Sequence, residues 1–289
     1  PVEHDHLKAY QRYLEAANQG YADAQSNLGF LYQVGYGVIK DEAKAVEWYK
    51  KATERGHIYA HCNLGFMYDR GVGDHSQAVE WHQKAVNQGH DDAQLNLGNS
   101  YKDGHGVTQD YAKALDLFRK AGDQGNEVAL FNLGAMYHSG RGVKQDDSKA
   151  FEWYQKSAKE GYADAQYYMG IAFRDGDGVT QDYLQAEEWF QKAADQGDAE
   201  SQYILGVMYQ NGHGSIQDYS KAIELYQKAA EQNHILAQYA LGLMYENGNG
   251  TSKDISRAME WWRKAASSGH DEAQELLGKY QNNPQVYFV

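Results

Sequence analysis

The chain has 289 residues, 40 of them acidic against 27 basic, a formal net charge of −13, and a single cysteine, Cys62. That charge excludes the basic footprint carried by a direct DNA or RNA binder, and one cysteine excludes an internal disulfide. No stretch approaches the roughly 18–20 consecutive apolar residues that a membrane-spanning helix needs.

The elements come in pairs, and the pairs recur. Ala9, Tyr13, Ala16, Ala17 and Gly20 read as one lone helix, a half-repeat over residues 1–21. From residue 22, Ala24, Leu28, Leu31 and Tyr32 fall at helical spacing and define a helix A. Gly35 and Gly37 break it, Asp41 stands where an N-cap belongs, and Ala45, Trp48, Tyr49 and Ala52 define a helix B that Gly56 ends. This αα-hairpin is the unit. Its landmark Leu-Gly pair returns at Leu64, Leu97, Leu133, Met169, Leu205, Leu241 and Leu277, each followed by glycine, with a step of 36 residues except for one of 33 between Leu64 and Leu97. A fixed period in this range marks a stacked array.

The other parts keep the same step. The N-cap acid recurs as Asp74, Asp110, Asp146, Asp182, Asp218 and Asp254, and the bulky residue of helix B as Trp81, Leu117, Trp153, Trp189, Leu225 and Trp261. Those large aromatics are expected to fill the gaps between repeats. The one short repeat has lost three residues before Asp74, in the segment Gly71-Val72-Gly73, so the deletion is expected to leave both helices whole. Full repeats run over 22–270. A half-repeat and tail, 271–289, follow. Pro284 stops its last helix, and the apolar end is expected either to cover the last hairpin or to enter the groove of a second copy.

These residues resemble the Sel-one-like repeat (SLR) family of the tetratricopeptide-like superfamily. The resemblance is carried by Ala165, Met169, Gly170, Phe173, then Gly176, Gly178, Val179, then Asp182, Ala186, Trp189, Phe190, Lys192, Ala193, Ala194 and Gly197. It covers nearly the whole chain and implies an all-α, right-handed α-solenoid over 1–289, with helix A lining a concave groove. It also implies a non-enzymatic adaptor for protein complexes. A regulatory subunit for a membrane-associated enzyme, as in fungal cell-wall relatives, and more remotely a β-lactam-binding hydrolase, are the alternatives within the family.

Counted from the landmark, two columns are expected to face the groove. The residue before it is Asn27, Asn63, Asn96 and Asn132, then Tyr168, Ile204 and Ala240. An amide ladder offers a donor and an acceptor to an extended peptide backbone; alternatively, each amide bonds a neighbouring helix. One residue earlier stand Phe131, Tyr167, Tyr203 and Tyr239, an aromatic stripe suited to side-chain recognition or to packing between repeats. Phe30 and Phe66, one past the glycine, add apolar surface. The expected partner is a protein or peptide, a basic one being the easier to accommodate, with no nucleic acid, no inserted membrane and no cofactor. No pair of the twelve histidines shows an i, i+4 zinc spacing beside an acid, so no metal site is expected. The expected compartment is the cytoplasm, with the endoplasmic reticulum lumen or secretion left open.

Overall fold

The structure, a computed structural model, describes residues 2–282, and side chains from His6 to Tyr280. The Pro284 tail and its expected contacts lie outside the described residues. The chain divides into two compact units that meet between Gln145 and Asp146. Among the described residues all regular structure is helical.

The first unit holds α1 (Val2–Asn18), α2 (Ala22–Val34), α3 (Glu42–Thr53), α4 (Ile58–Met67), α5 (His75–Val86), α6 (Asp91–Asp103), α7 (Tyr111–Gly122) and α8 (Glu127–Ser139). Even-numbered helices are the A helices, odd-numbered the B helices, and within the unit successive helices pack on one another. Leu28, Leu64, Leu97 and Leu133 are fully buried, with Ala45, Ala78 and Ala114 facing them from the B helices. Each such leucine contributes about 1.5–3 kcal/mol by leaving water.

The second unit repeats the scheme with α9 (Asp147–Lys159), α10 (Ala163–Asp175), α11 (Tyr183–Asp195), α12 (Ala199–Asn211), α13 (Tyr219–Glu231), α14 (Ile235–Asn247), α15 (Ile255–Ser267) and the lone α16 (Asp271–Asn282). Met169, Leu205 and Leu241 take the landmark place at zero exposure. In both units every expected N-cap aspartate accepts a backbone N–H from its helix. At Asp218 the donors are Ser220 and Lys221, at 3.0 and 3.1 Å, a cap contributing about 0.5–2 kcal/mol.

The landmark glycine has a steric purpose. A Cβ on Gly98 would stand 2.6 Å from the Phe118 ring, and one on Gly170 would stand 2.6 Å from Phe190. The buried ring under these glycines is therefore the residue after the tryptophan position: Tyr49, His82, Phe118, Phe190, Tyr226 and Trp262. This corrects the expectation for the bulky column. Trp48, Trp81, Trp153, Trp189 and Trp261 are only half-buried, and a lysine three residues on covers each ring at 3.8–3.9 Å.

A buried glutamine ties helix B to the next helix A. Gln25 donates to Ala17 O, Gln166 to Ala158 O, Gln202 to Ala194 O and Gln238 to Ala230 O, at 3.1–3.3 Å. Gln196 and Gln232 in turn donate to Gln166 and Gln202 at 2.8 Å. Each pairing satisfies polar atoms that burial otherwise makes costly.

The short repeat departs from its expectation. Its helix A does not survive whole: α4 stops at Met67, and Tyr68–Val72 form a wide π-helical turn with Gly71 at φ 99°. Removing three loop residues pulls the last helical turn open, because the chain must still reach the cap at Asp74. An opening of about 110 Å³ remains between this turn and the α2–α3 hairpin, bordered by Gln33, Lys40, Glu42, Arg70 and Val72.

Candidate functional site

The groove lies in the first unit, between α2 and α4. Asp23, Asn27 and Phe30 stand three to four residues apart, so they share one face of α2. Ala24, Leu28, Leu31 and Tyr32 occupy the opposite, buried face. Asp23, Asn27 and Phe30, with Ser26, His57, Tyr59 and Asn63, line an open groove of about 490 Å³. Phe30 is 46% exposed and Tyr59 61%, so two rings stand in water beside the exposed Asn27 amide. Phe66 lies further along α4, 40% exposed, with the Arg70 guanidinium 5.6 Å from its ring centre.

His57 fixes one end. Its Nδ1 accepts the Ala60 N–H at 3.2 Å, capping α4, and its Nε2 lies 3.2 Å from Asp23 Oδ1. The Asp23 side chain is 93% exposed, so the pair itself is weak. The carboxylate remains on the rim for a cation.

The remaining amides are less open. Asn63, Asn96 and Asn132 are half-buried. Asn96 lies beside the Cys62 thiol of the preceding helix A, and Asn132 Nδ2 donates to Asn99 Oδ1 at 3.4 Å. Burial, and then the Asp92 and Asp91 carboxylates, push that thiol up to about 12, so Cys62 is not a nucleophile at neutral pH.

The aromatic column is half-buried throughout. Phe131 belongs to α8. In the second unit Tyr167 meets Phe190 at 5.9 Å, Tyr203 stacks on His234 at 4.8 Å and Tyr239 on His270 at 4.4 Å. His234 is the N-cap of α14, and His270 precedes α16, so these tyrosines brace one repeat against the next. Burial raises the hydroxyl pKa of all three tyrosines.

Of the sequence candidates, then, the geometry gathers Asn27, Phe30 and Asn63 in one groove. Phe66 lies beside it, and Asn96, Asn132, Phe131, Tyr167, Tyr203 and Tyr239 lie elsewhere along the A helices. Sequence reading passed over Tyr59, Asp23 and His57. A signal existed at Tyr59: the same place carries an acid at Asp23, Asp92, Asp164 and Glu200. No described helix is long and apolar enough to cross a membrane.

A family model described as Sel1 repeat matches residues 1–21, 22–57, 58–90, 91–126, 128–162, 163–198, 199–234 and 235–270. The chain is similar to a protective antigen of uropathogenic Escherichia coli that displays an SLR fold. That likeness has 39% identity and a TM-score of 0.79, over 93% of this chain and 59% of that one. It is also similar to a Sel1 repeat protein from Oxalobacter formigenes, at 33% identity and TM-score 0.80, over 96% of this chain and 85% of that one. The chain thus spans less than two thirds of the E. coli protein's length. None of the curated proteins matches it.

Proposed function

The chain belongs to the Sel1 repeat family, and from that premise we propose that it holds an extended segment of a partner protein in the groove between α2 and α4. Sel1 repeat proteins are generally non-catalytic scaffolds for protein interaction, which supports the class. The observation that carries the site is the meeting of exposed rings and amides: Phe30 and Tyr59 flank Asn27 and Asn63 on one open surface. Amides pair with a peptide backbone whatever its sequence. Rings take apolar side chains at low entropic cost. Asp23 at the rim, on a chain of net charge −13, favours a basic segment. The 36-residue step from Leu133 to Met169 passes the boundary between the units unchanged, which supports reading 1–289 as one repeat region.

Peptides selected from a random display library on the intact chain test this. Binders are expected to be basic with spaced apolar residues. The double substitution Asn27→Ala/Phe30→Ala is expected to weaken them by about 2 kcal/mol or more, as loss of an interface anchor does. Selected peptides that bind this variant and an Asn63→Ala variant as tightly as the parent would remove the groove as the site.

A further inference from the structure

Four repeats place a histidine at the start of helix A, and one of the four behaves differently. His57, His234 and His270 each accept the backbone N–H three residues on, at 3.1–3.3 Å from Nδ1. His57 and His234 also reach an acid of the preceding helix A, Asp23 and Glu200, at 3.2 and 3.0 Å. His90, before α6, makes no cap bond. The preceding helix offers it Tyr59 instead of an acid, edge-on at 4.9 Å. His90 is 8% exposed, yet neither of its ring nitrogens has a hydrogen-bond partner. Such a group is rare, because burial without a partner is costly.

What stands beside it is a pair of carboxylates. Asp91 Oδ1 is 3.7 Å from His90 Nδ1. Asn126, the N-cap of α8, donates one Nδ2 hydrogen to Asp91 Oδ2 and the other to Asp92 Oδ1, both at 3.1 Å. Its own Oδ1 caps Ala129 at 3.0 Å, so the amide is held from both ends. One oxygen of each acid is left unused by that clamp. One ligand atom from each of His90, Asp91 and Asp92 lies within 4.8 Å of the others. Ligand bonds of about 2.0–2.2 Å close that spread with small side-chain rotations.

We infer that His90, Asp91 and Asp92 form a binding site for a single divalent first-row transition ion of the zinc type, with Asn126 orienting the carboxylates from the next repeat. The donor set selects the class. One imidazole nitrogen with two carboxylate oxygens suits zinc or manganese, whereas magnesium and calcium favour all-oxygen shells. The start of α6 opposes a cation with about half a positive charge, and two carboxylates outweigh it. Three protein ligands leave further positions for water or for a donor from a partner. Three ligands in a row at a helix start escape a search for i, i+4 pairs, so periodic spacing alone does not reveal the site.

The test is calorimetric titration of the intact chain, freed of metal by chelation, with zinc chloride. One saturable equivalent is expected. Asp91→Asn/Asp92→Asn is expected to abolish it, with helix content by circular dichroism unchanged. Asn126→Ser, which keeps the cap but loses both amide donors, is expected to weaken it about tenfold or more. His57→Gln and His234→Gln are expected to leave it intact. X-ray absorption of the zinc-loaded chain is expected to show one imidazole in an oxygen shell. The site is wrong if no saturable binding is seen, if the double variant binds as tightly as the parent, or if the spectrum shows two imidazoles or a thiolate.

Discussion

A lysine in helix B has two uses here, and the residue three before it decides between them. Lys51, Lys84, Lys156, Lys192 and Lys264 lie over tryptophan rings, although each has a glutamate four residues before it. Where the ring is replaced by Leu117 or Leu225, Lys120 and Lys228 turn instead to Asp116 and Glu224, both at 2.7 Å. The magnitudes agree with that choice, since an exposed cation–π contact is worth about 0.5–1 kcal/mol and an exposed i, i+4 ion pair about 0.3–0.5. The glycine landmark follows the same logic of what lies opposite. Gly98→Ala, which drives a methyl into Phe118, is expected to destabilise its repeat by about 1–3 kcal/mol. Gly278 in α16 has nothing within 4 Å of an added Cβ, so Gly278→Ala is expected to stabilise by about 0.5–1 kcal/mol. Hydrogen exchange resolved by repeat measures both, and equal effects at the two sites would contradict the steric account. The sequence shows the glycine but not its partner, because Trp48 and Tyr49 are adjacent aromatics and periodicity cannot say which one faces inward.

At the level of the element, the short repeat changes two residues together. Tyr49 donates to Gln33 at 2.6 Å and Tyr226 to Gln210 at 2.7 Å. The same two places in the short repeat hold His82 and Asp69, joined at 2.9 Å, with His75 on the other carboxylate oxygen at 3.2 Å. Burial pushes the Asp69 carboxyl up, but the hydrogen bonds to His82 and His75 outweigh it, and the group lies below its ordinary 3.8. The unfolded chain therefore takes up this proton first as pH falls. The Asp69 contribution is complete above about pH 3.8 and is lost as pH drops through the lower folded value. Asp69→Gln alone is expected to cost about 1–3 kcal/mol, since it trades a charged acceptor for a neutral one beside a buried ring. Adding His82→Tyr restores the sister pair, and the double variant is expected to recover most of that loss and to lack the acid-dependent step. Chemical denaturation at pH 7 and pH 3 reads out both effects, and strictly additive changes would sink the pairing. The deletion itself was plain in the sequence. Its effect on the end of α4 was not, because loop length and helix length trade against each other only in three dimensions.

For the whole molecule, the fold was legible because each position is sampled again and again. One copy that reads poorly, such as the cap glycine replaced by Asn233 at φ 66°, is corrected by the rest. The groove was less legible for the same reason, since a binding surface is where copies differ. Asn132 finds a partner on the A helix before it, and Asn96 lies beside Cys62 there. No helix A precedes α2 among the described residues, and Asn27 stays exposed. The net charge of −13 acts on all of this at a distance. Screening shortens from about 30 Å at 0.01 M salt to about 3 Å at 1 M. A basic peptide is therefore expected to associate about tenfold or more slowly across that range, while its dissociation from Phe30 and Tyr59 changes little. Stopped-flow fluorescence separates the two rates, and a salt-dependent off-rate alone would refute the steering.

The Gly-x-Gly loops also give the chain a direction in time. Gly106 rests on the His75–Ser76 backbone at the start of α5, Gly178 on Asp147–Ser148 at the start of α9, and Gly250 on Tyr219 at the start of α13. Each of these loops thus rests on the helix B of the repeat before it. A ribosome releases the chain in that same order, so every new hairpin emerges onto a finished seat, and the nascent protein grows without long-range search. The short loop at Gly71 and Gly73 touches no such seat. Synthesis passes one joint there that lacks the backbone seat its neighbours have.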